Sequence, residues 1–110
     1  METTEVGLDS VFGALSDTTR RDMLRRIAKF RLTVSELAEP YALTIAAISK
    51  HLKVLESAGF ITKQRVGRKH YIYPATTGFK DAAAWTLHYK SFWESNLDSL
   101  ANYLEGGQNG

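Results

Sequence analysis

Apolar residues recur along this chain with two periods, and the alternation between them lays out the fold. Leu8, Val11, Phe12 and Leu15 stand at i, i+3, i+4 and i+7, predicting a first amphipathic helix of about ten residues. Ser16 or Asp17 offers an oxygen to cap a second helix, Thr18 to about Phe30, with Met23, Leu24, Ile27, Ala28 and Phe30 as its apolar positions. Thr33-Val-Ser-Glu36 is a capping box, in which the hydroxyl and the carboxylate reciprocally satisfy the first free amides of a helix. Val34, Leu37 and Ala38 face inward on that short helix, and Pro40 stops it.

After Pro40-Tyr-Ala-Leu43, Thr44 caps a further helix that runs to Gly59. At about 100° per residue its apolar stripe is Ile48, His51, Leu52 and Leu55, and its opposite side collects Ala46, Ser49, Lys50, Lys53 and Ser57. Short helix, tight turn and hydroxyl-capped second helix make a helix-turn-helix, with Leu32, Leu37, Leu43, Ile48, Leu52 and Leu55 expected where the two helices cross. Gly59 sits where a left-handed C-cap is expected, with Phe60 folding back over the last turn. The period then switches to two: Ile61 to Tyr73 is β-prone on both sides of Gly67 and ends at Pro74, a β-hairpin. From about Thr77 to Leu104 the pattern is helical again and carries six of the twelve aromatic residues. Trp85, Tyr89, Phe92, Trp93, Leu97, Leu100 and Leu104 form a stripe too long to bury against so small a body. Its surplus predicts a partner helix, most simply its own copy in a two-fold dimer, with Leu8, Val11 and Phe12 joining the interface. Two other readings stay open: the aromatics cover the first helix within one chain, or they line a ligand pocket.

Charge sharpens this outline. The net charge of +2 conceals a polarised distribution: residues 17–69 hold twelve Lys/Arg against five Asp/Glu, and the flanks hold two against seven. A basic centre between acidic flanks favours a polyanionic partner over uniform solubility. On the Thr44–Gly59 helix, small residues near the amino end with lysines behind them suit base edges and phosphates respectively, although a solvated face would look similar. The hairpin carries Lys63, Arg65, Arg68, Lys69 and His70 with no acid between residues 61 and 70. A hairpin that needed only solubility would mix signs, so phosphate or groove contact is expected there, with Arg68 at the tip. Arg20, Arg21, Arg25, Arg26 and Lys29 are expected mainly to solubilise the second helix, one or two of them touching DNA.

At 110 residues the chain is expected to form a single domain, 1–110, with flexible ends at 1–6 and 105–110. Cysteine is absent, which removes disulfides and thiolate metal sites. No apolar run approaches a membrane span and no leader is evident, so a cytoplasmic protein without membrane contact is expected. A nucleophile–base–acid set and a phosphate loop are both missing, which argues against an enzyme.

Five segments in register, Ala14-Leu-Ser-Asp-Thr-Thr-Arg-Arg21, Thr33-Val-Ser-Glu-Leu-Ala38, Ile48-Ser-Lys-His-Leu-Lys-Val-Leu55, Ala58-Gly-Phe-Ile61 and Gly67-Arg-Lys-His-Tyr71, resemble the ArsR family of bacterial transcriptional repressors. The resemblance spans about residues 8–104. It implies a mainly α (α+β) winged helix-turn-helix of order α-α-α-α-β-β-α whose first and last helices form a dimer interface. It also implies a homodimer that represses by covering an inverted-repeat operator in double-stranded DNA. By position, Thr44, Ala46, Ser49, Lys50 and Lys53 would face DNA, with Arg68 at the wing; Lys63 and Arg65 are expected to join it on the charge of the hairpin. His51 matches a recurrent family histidine, but its place on the helix points it inward, as a packed and hydrogen-bonded residue. Thr18, Ala42, Ile45 and Ala46 depart from the family's usual proline, glycine, glutamine and proline. Losing the glutamine removes a group suited to adenine, shifting the reading onto Ser49, thymine-methyl contacts and DNA shape. Metal-sensing relatives use cysteines, or Asp/His/Glu spaced along the last helix. Here Asp81, His88, Glu94 and Asp98 lack that spacing, so neither metal nor cofactor is expected, and any small-molecule inducer is unknown. The alternatives are a non-specific DNA binder and a protein-interaction winged helix.

Overall fold

Local capping chemistry defines where each helix begins. In the computed structural model, which describes residues 2–109 and the side chains of 7–106, the Asp17 carboxylate accepts from the Arg20 amide at 2.9 Å and opens helix α2 (Thr18–Lys29). The expected box opens α3 (Val34–Ala38): Thr33 Oγ1 accepts from the Glu36 amide at 3.1 Å, and Glu36 Oε1 accepts from the Thr33 amide at 2.8 Å. Thr44 Oγ1 accepts from the Ala47 amide at 3.1 Å and opens α4 (Ile45–Ser57). That helix closes in a Schellman turn: Gly59 takes φ +81°, its amide donates to the Glu56 carbonyl, and the Phe60 amide donates to the Leu55 carbonyl. Helices α1 (Glu2–Leu15) and α5 (Thr77–Asn109) complete the helical set.

Strands β2 (Ile61–Val66) and β3 (Lys69–Pro74) form the hairpin, with Gly67 and Arg68 as its two-residue turn. Gly67 alone of the pair has positive φ, +66°, the pattern of a II′ turn with glycine at the first central position. The periodicity did not foretell β1 (Leu32–Thr33), which pairs Leu32 with Ile72 and Thr33 with Tyr71 and makes a three-stranded antiparallel sheet of order β1-β3-β2. The element order is therefore α-α-β-α-α-β-β-α, a winged helix-turn-helix with one more strand than expected.

The core gathers Met23, Leu24 and Ile27 of α2, Leu37 and Ala38 of α3, and Ile48, Leu52 and Leu55 of α4. Phe60, Ile61 and Ile72 seal it from the sheet side, and Val11 and Ala14 from α1. Each large apolar side chain so buried stabilises the fold by about 1.5–3 kcal/mol. Three expectations need correction. Leu43 is 42% exposed because it lies in the turn before α4, and Leu32 is only half-buried because it serves a peripheral strand. Phe30 is 62% exposed, since α2 ends at Lys29 and Phe30 follows in extended backbone. Both end helices also run further than the pattern indicated, α1 from Glu2 and α5 to Asn109. The side chains of 1–6 and 107–110, on which the expectation of flexible ends falls, lie outside the described residues.

The start of α5 is wedged against the Schellman turn. The Gly78 amide donates to the Gly59 carbonyl at 2.8 Å, and Phe60 meets Phe79 edge-on at 4.6 Å between ring centroids. Beyond this joint Ala82 still packs against the core and α5 passes α1, after which the helix extends away from the body. No helix among the described residues is long and apolar enough to cross a membrane.

Candidate nucleic-acid interface

Helix α4 turns Ile48, Leu52 and Leu55 into the core, which leaves Ala46, Ser49, Lys50 and Lys53 on the outer face with Thr44 at its amino end. Ile45 is 64% exposed beside them, an apolar contact group at the first turn. The outward residues therefore grade from small and apolar at the amino end to cationic further along.

The wing stands beside this face. Alternation along β2 puts Lys63 and Arg65 on the same side as the buried Ile61, and Lys63 Nζ reaches Glu56 Oε1 of α4 at 3.8 Å. Lys63 is thus partly committed to its own protein, whereas Arg65 folds along the turn, its Nε donating to the Gly67 carbonyl at 2.9 Å. Arg68 is exposed at the tip. Arg31, in front of β1, lies 4.1 Å over the Tyr71 ring and 5.9 Å from that of Tyr73.

The arginines of α2 have internal tasks that sequence reasoning missed. Arg20 donates from Nε to the Ala14 carbonyl at 2.9 Å and from Nη2 to the Gly13 carbonyl at 3.0 Å. Its Nη1 lies 3.1 Å from His51 Nδ1, and because a guanidinium only donates, that nitrogen must be the acceptor. Arg21 donates to the Leu15 carbonyl at 2.7 Å. Arg26 donates to the Leu37 and Glu36 carbonyls at 2.6 and 3.1 Å and lies 5.3 Å over the Tyr41 ring, while Arg25 sits 3.6 Å from Asp22. Three of the five cations of α2 therefore cap carbonyls of neighbouring segments.

His51 is half-buried, with Asp17 Oδ2 at 3.9 Å from the same Nδ1 that faces Arg20, so it links α4 to the start of α2. Asp17 itself is held below the ordinary carboxylate range, chiefly by the Arg20 amide, which outweighs the opposing effect of burial, and to a lesser degree by the Arg20 charge and the Thr19 amide. Tyr41 was read only as part of the turn. Its hydroxyl donates to Asp22 Oδ2 at 2.6 Å, and burial, then that bond, raises its pKa.

Of the residues expected at a self-association surface, Phe12, Trp85, Tyr89, Phe92, Trp93, Leu97 and Leu100 are exposed on α1 and α5, and Leu8 is half-buried. Val11 is 2% exposed and belongs to the core of its own chain, because the α1 face that holds it and Ala14 packs inward. Phe12 meets Trp85 edge-on at 5.7 Å, and Trp85 stacks on Tyr89 at 4.3 Å, so one aromatic row joins α1 to α5. Among the described residues, Asp81, His88, Glu94 and Asp98 form no group of three that could hold a metal ion.

Comparison with known proteins agrees with this geometry. A family model described as a helix-turn-helix domain matches residues 15–64. The chain is 31% identical over 90 residues to the transcriptional repressor SdpR of Bacillus subtilis, covering 82% of this chain and all of that one. It superposes on the crystal structure of an ArsR family transcriptional regulator at TM-score 0.77, with 34% identity over 83% of this chain and 94% of the other. An ArsR-like transcriptional regulator from Rhodococcus sp. RHA1 gives TM-score 0.82 at 27% identity, covering 96% of this chain and 97% of that one. The basic α4 face, the wing beside it and these likenesses together identify a DNA-binding regulator, not an enzyme, and the chain belongs to the ArsR family of winged helix-turn-helix transcriptional regulators.

Proposed function

We propose that the whole chain acts as one winged-helix unit, dimerises through α5 and part of α1, and represses transcription by occupying an inverted-repeat operator. The observation that carries this reading is the pairing of a lysine-bearing outer face on α4, whose one acid, Glu56, is paired with Lys63 of the wing, with a long apolar face on α5. The first supports insertion into a major groove; the second supports a two-fold partner that would set two such helices side by side. Thr44, Ala46 and Ser49 are the proposed base-edge contacts, Lys50 and Lys53 the phosphate anchors, and Lys63, Arg65 and Arg68 the wing contacts. Repression would follow from coverage of a promoter, and the Bacillus subtilis relative is named a transcriptional repressor.

Selection of bound duplexes from a random pool tests the reading in one step. The expected product is a two-fold symmetric site with half-sites one helical turn apart, about 10–10.5 base pairs, or a multiple of it. Enrichment of no particular sequence would instead mark a non-specific binder.

A further inference from the structure

Between α1 and one flank of α4 lies an open cleft of ≈530 Å³ that shares only Lys50 and Lys53 with the proposed DNA contacts. That volume falls within the roughly 300–1,000 Å³ of ordinary small-molecule pockets. Gly13, Ala14 and Val54 supply its apolar lining, and Arg20, Lys50 and Lys53 its charge, with no carboxylate among the residues that form it. Val54 is 38% exposed there, and a Cβ added at Gly13 would meet nothing within 4 Å. Gly13 borders open space that a large side chain there would occupy.

Arg20 makes the charge a fixed one. A guanidinium carries five N–H groups, and three of Arg20's are engaged by the Ala14 carbonyl, the Gly13 carbonyl and His51 Nδ1. Two remain, on a head group already held in place, so a guest would not have to order it. An apolar surface beside a held guanidinium and two lysines selects for a flat apolar body carrying one negative charge. A neutral guest would leave the cations without benefit, and a multivalent anion would forgo the apolar contact.

We propose that this cleft is a binding site for a small amphipathic monoanion, an aromatic carboxylate or sulfonate, and that its guest and DNA exclude one another. The second half rests on the DNA-binding reading, since Lys50 and Lys53 serve both faces. A bound anion neutralises the two lysines that would anchor phosphates and occupies the flank of the helix that would enter the groove.

The test titrates naphthalene-1-carboxylate into the isotope-labelled full chain and follows backbone amide shifts, with the neutral naphthalene-1-carboxamide as control. Saturable shifts at Gly13, Arg20, Lys53 and Val54, with the carboxamide at least tenfold weaker, are expected. Gly13→Leu fills the cleft and should abolish those shifts while leaving duplex affinity within twofold. Val54→Asp, at an exposed position, should do the same to the probe by repulsion, and serves if Gly13→Leu fails to fold. At ten times its own Kd the probe should raise the apparent Kd for duplex DNA about elevenfold. Shifts confined to α5, no shifts, or equal binding of the carboxamide would overturn the site. Shifts in the cleft with unchanged duplex affinity would overturn the exclusion. Failure of the probe-free chain to bind any duplex would refute the DNA-binding reading and not the cleft, which the amide shifts report separately.

Discussion

Gly78 is required for what a methyl group would strike, not for its backbone angles. A Cβ there would stand 2.6 Å from the Ala58 carbonyl oxygen and 3.0 Å from the Phe60 ring, both held by the turn after α4. Gly78→Ala should therefore destabilise by about 1–3 kcal/mol, the cost of overpacking a closed site. Gly13→Ala, in open space on a helix, should stabilise by up to about 1 kcal/mol. Urea denaturation of both variants decides the matter, and shifts of the same sign would refute the contrast. A second residue-scale expectation concerns Asp17. Because its carboxyl titrates below the ordinary value in the folded chain, the stability it contributes is present above the unfolded carboxylate pKa, near 3.9, and fades as pH falls through the folded one. Asp17→Ala should cost about 0.5–2 kcal/mol at neutral pH, and the gap to the unsubstituted chain should narrow in acid. Unfolding curves at pH 7 and pH 3 check this; a gap independent of pH would assign the loss to something other than the charged cap.

At the scale of elements, legibility followed the range of the interaction. The capping box at Thr33, the turn at Gly59 and the hairpin at Gly67 were readable because each is closed by groups within a few residues. Strand β1 was not, because it is two residues long and its partners, Tyr71 and Ile72, lie nearly forty positions on. Arg20, Arg21 and Arg26 looked like a solvated or DNA-facing row, since the carbonyls they cap are brought to them only by folding. The outer face of α4 was legible from helical spacing alone, and its charge gradient agrees with that reading. From this face and the wing tip we expect Lys50→Ala and Arg68→Ala to weaken operator binding without lowering thermal stability. If a dimer neutralises six to ten phosphates, affinity should drop roughly 10³–10⁵-fold between 50 and 200 mM salt, and each variant should flatten that slope by about two units, one per subunit. Filter binding across a salt series measures both, and an unchanged slope in both variants would remove them from the phosphate contacts.

The whole molecule measures 73 × 32 × 22 Å, with a radius of gyration of 19.7 Å against about 13 Å for a compact chain of this length. The difference is α5, whose 33 residues span about 50 Å at about 1.5 Å each. Wound at about 100° per residue, Trp85, Tyr89, Phe92, Trp93, Leu97, Leu100 and Leu104 fall within roughly 140° of arc, and all are exposed. A face that long and apolar calls for a cover, which we assign to a second copy. Trp93→Glu and Leu97→Glu should each sediment as monomers where the unsubstituted chain sediments as a dimer. Dimers persisting in both would move the interface elsewhere.

The contact between Gly59 and Gly78 then takes on a geometric meaning. If α5 sets the dimer axis and α4 enters the groove, this joint, closed by the Gly78–Gly59 hydrogen bond and the Phe60–Phe79 contact, helps to fix the angle between them. It acts as the protractor of the dimer. Enlarging either glycine would leave each half-site's recognition intact and change the number of base pairs preferred between half-sites, so spacing would evolve at a position that touches no DNA.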